Sequence, residues 1–362
     1  MTEEISHYHS ALKVPGGKLV VADVTATSSH LQSVQISGDF FLEPEEAFEA
    51  LGPALEAASV QEDTTSLIKR LDAALSTVSA ETKVNVELHG LSTRDIAQVV
   101  RRALNNATDF SDHSWEIIHS PVLPTPMNVA LDELILNQVA AGQRGPTLRL
   151  WEWNDRAAVI GSYQSYVNEL DPDGVRENNV TVVRRISGGG AMFMEGGNCI
   201  TYSLYAPDSL VAGLSYEDSY EYLDRWVLAA LAKHGVHAWY MPINDITSSA
   251  GKIGGAAQKR RGKAVLHHVT MSYDIDAEMM TKVLRIAKVK IADKGIRSAS
   301  KRVDPLRSQT GATRSDIIST LIDTFKERYS ARSVELSESD LQEAQHLVDT
   351  KFGTEEWTHR LP

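Results

Sequence analysis

The sequence predicts an α+β protein with a small leading unit and a larger unit built on a mixed or antiparallel sheet flanked by helices. Three observations carry this reading. The 362 residues exceed what one small core needs. The first hundred residues place two β-branched, extended runs ahead of three helical patterns. From about residue 115 onward, strand candidates mostly follow other strands, which favours a mixed or antiparallel sheet over a doubly wound parallel one. The polar, turn-rich stretch NNATDFSDHS separates the two regions. The expected division is therefore 1–108 for the small unit, 109–114 for a linker and 115–362 for the large unit.

In the small unit, KLVVADVTAT and HLQSVQIS read as a hairpin. PEEAFEALGPALEAA has proline near its first turn with acids behind it, which suits a helix N-terminus. TSLIKRLDAALSTV repeats apolar residues at helical spacing, and STRDIAQVVRRALNNA opens with Ser92 and Asp95 spaced as a capping box. In the large unit, MNVALDELILNQVAA is an amphipathic helix and SYEDSYEYLDRWVLAALAKHG a long one. TLRLWEW, AAVIGSY, VTVVRRIS, CITYSLYA, HAWYMP and AVLHHVTMSYDI are the strand candidates.

Composition narrows the class of function. Apolar content of 42% with 23% charged residues is ordinary for a globular protein, and the net charge of −12 opposes general affinity for nucleic acid or anionic membranes. A local basic patch, KRRGK at 259–263, survives within it. No apolar run approaches a membrane span, and MTEEISHYHS lacks the basic start of a signal peptide, so the expected compartment is the cytosol. The single cysteine, Cys199, excludes an intrachain disulfide and a multi-cysteine metal site.

RRISGGGAMF, residues 184–193, sets two arginines beside three glycines. Guanidinium forks match oxyanions, and glycine lets backbone N–H groups approach a ligand, so an anion such as phosphate or carboxylate is the expected partner. The segment lacks the lysine and hydroxyl residue of a P-loop and the final glycine of a dinucleotide fingerprint. Taken alone, such a triplet more often marks a tight strand corner. Two further stretches combine charge with small residues: INDITSSAGKIGGAAQ (243–258), carrying Lys252, and IADKGIRSASKRVDPL (291–306). Three such segments favour a phosphate-bearing ligand.

In their order, RRISGGGAMF, the Gly197–Asn198 pair, NDI at 244–246, GKIGGAAQ, LHHVT at 266–270 and KGIRSASKRV at 294–303 resemble the lipoate-protein ligase A family. MNVALDE at 127–133 and VIGSYQ at 159–164 are similar to its opening helix and glycine-glutamine turn. The resemblance runs from about Trp115 to the C-terminus and implies a biotin/lipoate ligase-like catalytic fold. GGKLVVADVTATSSHLQSVQISGDFFLEPEEAFEAL resembles the small accessory domain of these ligases, which usually follows the catalytic domain and here leads it.

The resemblance implies activation of lipoate by ATP, accompanied by Mg2+, to lipoyl-AMP, followed by transfer to a lysine of an acceptor domain. The implied acceptors are lipoyl domains of 2-oxoacid dehydrogenase complexes and the glycine cleavage H protein. Lys252 matches the motif lysine, whose charge would serve both steps as an electrostatic clamp. Arg184, Arg185, Ser187, Gly188, Gly189, Gly190, Ala191, Met192, Phe193 and Asn198 match positions around the nucleotide and acyl phosphate. Asn244, Asp245, Gly255, Ala257 and His268 match further adenylate contacts, Lys294 and Gly295 match a covering loop, and Gln164 matches the acyl pocket. Two departures stand out: Met194 and Glu195 replace a usual histidine–aspartate pair, and Val269 replaces a glycine. Adjacent residues on a strand face opposite sides, so one of His267 and His268 is expected to pack internally.

The nearest rival reading is an octanoyltransferase of the same fold, drawing on acyl carrier protein through Cys199 without ATP. Cys199 opens an apolar strand, where an inert buried thiol is expected. Biotin-protein ligase is a second rival, with a different glycine signature. A non-catalytic lipoate or lipoyl-domain binding protein is a third, opposed by the retention of Lys252.

Overall fold

The computed structural model describes residues 4–14, 18–285 and 305–361. Two compact units emerge, one of residues 1–109 with 209–216, the other of residues 110–208 with 217–362.

The first unit is an antiparallel sheet in the order β1 (Ser6–Lys13), β2 (Leu19–Ala26), β3 (Leu31–Gly38), with a short β4–β5 pair (Phe41–Glu43 and Glu87–His89). Along β2 the residues Val20, Ala22, Val24 and Ala26 alternate into the interior, the period that a sheet covered on one side requires. Helices α1 (Glu46–Leu55) and α3 (Thr93–Leu104) supply the cover, and α2 (Thr64–Thr82) packs on both. In α2 the buried positions Leu67, Leu71, Leu75 and Val78 form one stripe. The β2–β3 hairpin and all three helices match the sequence expectation; β1 precedes the stretch read there as the first strand. The capping box of α3 is formed, Ser92 accepting from the Asp95 N–H and Asp95 accepting in return from the Ser92 N–H.

The second unit is organised on an eight-stranded mixed sheet. Its order is β12 (Ala238–Met241), β13 (Asp245–Ser248), β14 (Gly251–Arg261), β15 (Ala264–Ser272), β11 (Cys199–Pro207), β7 (Thr147–Glu152), β6 (Trp115–Val122), β16 (Ala331–Val334). Pairing is antiparallel from β12 to β7 and parallel across β7, β6 and β16. A smaller sheet, β10 (Met192–Glu195), β8 (Arg156–Ile160), β9 (Thr181–Arg184), carries the glycine-rich segment between β9 and β10.

Helix α4 (Thr125–Ala140) and helix α7 (Tyr216–Lys233) cover opposite faces of the large sheet, as the two neighbouring histidines of β15 show: His267 reaches Asp224 of α7, and His268 reaches Asp132 of α4. Aromatic side chains fill the α7 side, with Phe110, Trp115, Trp226, Phe325 and Tyr329 in mutual ring contact. Phe110 lies in the stretch read as a linker, yet it is buried. Among the described residues no helix is long and apolar enough to cross a membrane.

Replacing Ser92 with alanine removes the side-chain acceptor at the start of α3. The expected cost is about 1 kcal/mol, read as a lower urea midpoint of the full chain; an unchanged midpoint would show that the cap contributes nothing.

Candidate functional site

One irregularity in strand pairing assembles the polar face of the site. Asp245 and Ile246 pair with Gly255 and Gly254, after which the register shifts and Thr247 pairs with Lys252, so Ile253 is an extra residue in β14. Side chains alternate along a strand and directly paired residues share a face, so without the bulge Lys252 would point away from Asp245. With it, the Lys252 ammonium lies 2.7 Å from Asp245 Oδ1. A β-carbon on Gly255 would sit 3.4 Å from the Lys252 Nζ, so glycine leaves the space beneath the pair open. Lys252 and Asp245 are 44% and 33% exposed, and an ion pair so open to water contributes about 0–1 kcal/mol. Its lysine is therefore free to exchange partners. Asn244 donates its side-chain N–H to the Ala256 carbonyl at 2.7 Å and fixes the approach to β13.

The glycine-rich segment faces the same strand, since a β-carbon on Gly189 would come 3.8 Å from Ala257 Cβ. Gly189 has φ +88°, a conformation that favours glycine. Its carbonyl packs on the 161–164 turn so closely that a β-carbon at Gly161 would lie 2.2 Å from the oxygen. Gln164 closes that turn, its side-chain oxygen accepting the Gly161 N–H at 2.7 Å.

Both arginines of the motif are buried and bonded to the protein's own carbonyls, where the sequence placed them on the anion. Arg184 donates to the carbonyls of Gly161, Gln164, Trp357, Thr358 and Leu361, which ties the turn to the C-terminal segment. Arg185 donates to Val159 O (3.1 Å), Gly188 O (2.6 Å), Gly190 O (2.9 Å) and Ser187 Oγ (3.0 Å), and so shapes the loop from within. Burial lowers the Arg185 guanidinium to about 10, which leaves it charged at neutral pH. Gly189 and Gly190 are exposed above it.

Beneath the loop lies a buried polar hub that the sequence reading missed. Asp132 accepts from Arg149 (2.8 Å), Ser203 (2.8 Å) and Tyr205 (2.5 Å), and it meets His268 Nδ1 at 2.8 Å. Arg149 also donates to Tyr205 Oη, to the Asn128 backbone and side-chain oxygens and, at 3.4 Å, to Ser120 Oγ. Burial alone would push the Asp132 carboxyl up, but the His268 hydrogen bond and the Arg149 charge outweigh it and hold it below the ordinary carboxylate range. His268 Nε2 lies 2.6 Å from Ser187 Oγ. Burial, with help from the Arg185 charge, lowers the imidazole below its ordinary 6.5 despite Asp132. His267 packs on the other face, as the alternation predicts, with Nε2 at 2.6 Å from Asp224.

The remaining motif residues are placed as follows. Phe193 is buried in an apolar cluster against which Ala191 packs, while Met192 packs partly buried against the core under α4. Asn198 donates to Glu195, which also accepts from Arg156, so this pair closes the turn after β10. Met194 packs in the core, and Val269 lies on the face shared with His267, away from the site. Val269 is therefore turned away from the face that carries Lys252, whereas Met194 packs within the core on the α4 side. Cys199 is buried in the same core, and burial raises its thiol to about 11. Lys294 and Gly295 lie outside the described residues. Among the described residues no cluster of three His, Cys, Asp or Glu could hold a metal.

Residues 124–326 match the model of the lipoyl protein ligase A/B catalytic domain. The chain belongs to this family. It is 29% identical over 242 residues to a probable lipoate-protein ligase A of Mycoplasma pneumoniae, covering 67% of this chain and 70% of that one. It is equally 29% identical to an octanoyltransferase of Symbiobacterium thermophilum, covering 68% and 98%. Among solved structures it resembles a bi-partite lipoate protein ligase from Thermoplasma acidophilum, described with its E2 lipoyl domain, at TM-score 0.62 and 27% identity over 69% and 97% of the two chains. A lipoate-protein ligase A bound with ATP aligns at TM-score 0.59 and 25% identity over 69% and 100%. For this member of the lipoyl ligase family, the fold and the family are those that the motifs implied.

Two stability measurements test the hub. Arg149→Met leaves Asp132 charged and buried without its partner and is expected to cost about 3–5 kcal/mol in urea unfolding. Because His268 takes up its proton less readily folded than unfolded, its contribution is whole above pH 6.5 and declines as the pH falls from there toward the folded value. Asp132, also depressed, adds a second loss below its ordinary 3.8. His268→Gln should flatten the first decline and, by removing a hydrogen bond that helps depress Asp132, shrink the second; an unchanged stability profile would contradict the placement of His268.

Proposed function

We propose that this protein is an ATP-dependent lipoate-protein ligase, activating lipoate to lipoyl-AMP with MgATP as co-substrate and transferring the lipoyl group to an acceptor lysine. The observation that carries the choice is the contrast between Cys199 and Lys252. The chain's single cysteine is packed in the core with its thiol raised to about 11, whereas Lys252 stands open on the face shared with the glycine loop. A thioester route needs an accessible thiolate, and burial disfavours both access and ionisation. An adenylate route needs a mobile positive charge where carboxylate meets α-phosphate, and a lysine in a weak, half-exposed ion pair supplies one. The likeness to an ATP-bound ligase supports the same choice.

On this reading, Lys252 leaves Asp245 to bridge the acyl carboxylate and the α-phosphate, and in the second step it stabilises the departing AMP. Residues 188–190 receive the phosphate, with Arg185 holding their carbonyls inward. Asn244 and Asp245 line the adenylate. The acceptors are lipoyl domains of 2-oxoacid dehydrogenase complexes and the glycine cleavage H protein, a choice that the likeness to a ligase described with an E2 lipoyl domain supports. We assign residues 1–108 as the accessory domain, 109–114 as its connection and the cytosol as the working compartment.

The octanoyltransferase reading keeps one specific support, the relative of that name matched over nearly its whole length. One assay separates the two. With lipoate, MgATP and an apo lipoyl domain, the ligase reading expects a lipoyl mass gain on the domain with AMP and pyrophosphate released. Octanoyl transfer from octanoyl-acyl carrier protein without ATP, and none from lipoate with ATP, would overturn it.

Lys252→Ala should reduce ligation about 10²- to 10³-fold, with stability changed by no more than about 0.5 kcal/mol, as for an exposed side chain. Cys199→Ser should keep ligation within a few-fold while costing about 1–3 kcal/mol for a hydroxyl placed in an apolar core. Near-normal ligation by the alanine variant, or complete loss in a folded serine variant, would contradict these roles.

A further inference from the structure

The two oxygens of Asp132 have separate duties. Oδ1 accepts from Arg149, Ser203 and Tyr205, whereas Oδ2 faces Nδ1 of His268 at 2.8 Å. An ionised carboxylate only accepts, so Nδ1 must carry the hydrogen and Nε2 must present a lone pair. Ser187 Oγ, 2.6 Å from Nε2, then has to donate its hydroxyl hydrogen there. That oxygen in turn accepts Arg185 Nε at 3.0 Å, and the far end of the same guanidinium holds the carbonyls of Gly188 and Gly190. Every hydrogen bond from α4 to the glycine loop is thereby given one direction. The opposite tautomer would aim an Nε2–H at a hydroxyl that already accepts from Arg185. The displaced hydroxyl hydrogen would then need a new acceptor at a residue with no exposed surface.

We propose that Asp132 is a positioning residue for the chemistry at the glycine loop. It sets the tautomer of His268, and through Ser187 and Arg185 it holds residues 188–190 in the shape that receives the nucleotide phosphate. The activity part of this proposal rests on the ligase reading; the tautomer part does not.

Asp132→Asn is the incisive variant, because the carboxamide oxygen can replace Oδ1 for its three donors while the NH2 group replaces Oδ2. That NH2 donates to Nδ1 and forces the hydrogen to Nε2, the inversion by which the same substitution disables a Ser-His-Asp triad. Since the variant also leaves Arg149 without a counter-charge, Ser187→Ala serves as a second variant that cuts the chain downstream at no change in charge. The experiment uses the full-length protein labelled with 15N-histidine. Nitrogen spectra should show His268 with Nδ1–H in the parent and in Ser187→Ala, and with Nε2–H in Asp132→Asn. In lipoate-dependent ATP–pyrophosphate exchange, both variants should raise the KM for MgATP about 10- to 100-fold, by analogy with the partners that orient a metal-ligating imidazole, with a smaller change in kcat. An Nε2–H tautomer in the parent, or an unchanged KM in Ser187→Ala, overturns the proposal. Absence of exchange in the parent would instead count against the ligase reading. The parent tautomer and the amide shifts of residues 188–190 in Ser187→Ala would then decide the relay, unmoved shifts refuting it.

Discussion

A carboxylate and a guanidinium that have both lost contact with water constrain everything around the site. Asp132 and Arg149 are 1% and 0% exposed, and their ion pair is tenable only because other elements complete the hydrogen bonding of both charges. Helix α4 provides Asp132 and Asn128, β7 provides Arg149, β11 provides Ser203 and Tyr205, and β15 provides His268. A slip of one residue in any of these strands would turn its donor to the opposite face and strand a buried charge. The pair thus specifies how α4 lies on the sheet, and with it where His268 and Ser187 meet the glycine loop.

Above this hub the cations divide their work by burial. Arg184 and Arg185 are enclosed and satisfied by backbone carbonyls, so they shape the loop and hold the C-terminal segment against it. Lys252, lifted onto the face by the extra residue in β14, keeps a weak and open ion pair and is the cation able to move to a ligand. A rigid frame beside a cation in a weak, open ion pair is the arrangement that the proposed adenylate route needs.

Much of this was legible in the sequence because it rests on local pattern. The strands and helices of both units follow hydrophobic period, and the opposite facing of His267 and His268 follows from the two-residue period of a strand. The prominence of Lys252 follows from its glycine neighbours. What was illegible depends on distant partners. The roles of Arg184 and Arg185 are decided by carbonyls of residues 357–361 and by the loop's own fold, so two arginines beside glycines read equally well as an anion site. Asp132 sits in an ordinary helical pattern, and its partners lie 17, 71, 73 and 136 residues away. The bulge at Ile253 is a property of pairing with β13, which no single strand records.

The central claim is this division of charge, and a crystal structure with a non-hydrolysable lipoyl-adenylate analogue tests it most directly. The account predicts the phosphate against the backbone of residues 188–190, with Lys252 drawn off Asp245 onto it and both guanidinium groups still on their carbonyls. An analogue held by Arg184 or Arg185 swung out of the protein, with Lys252 remaining on Asp245, would contradict it.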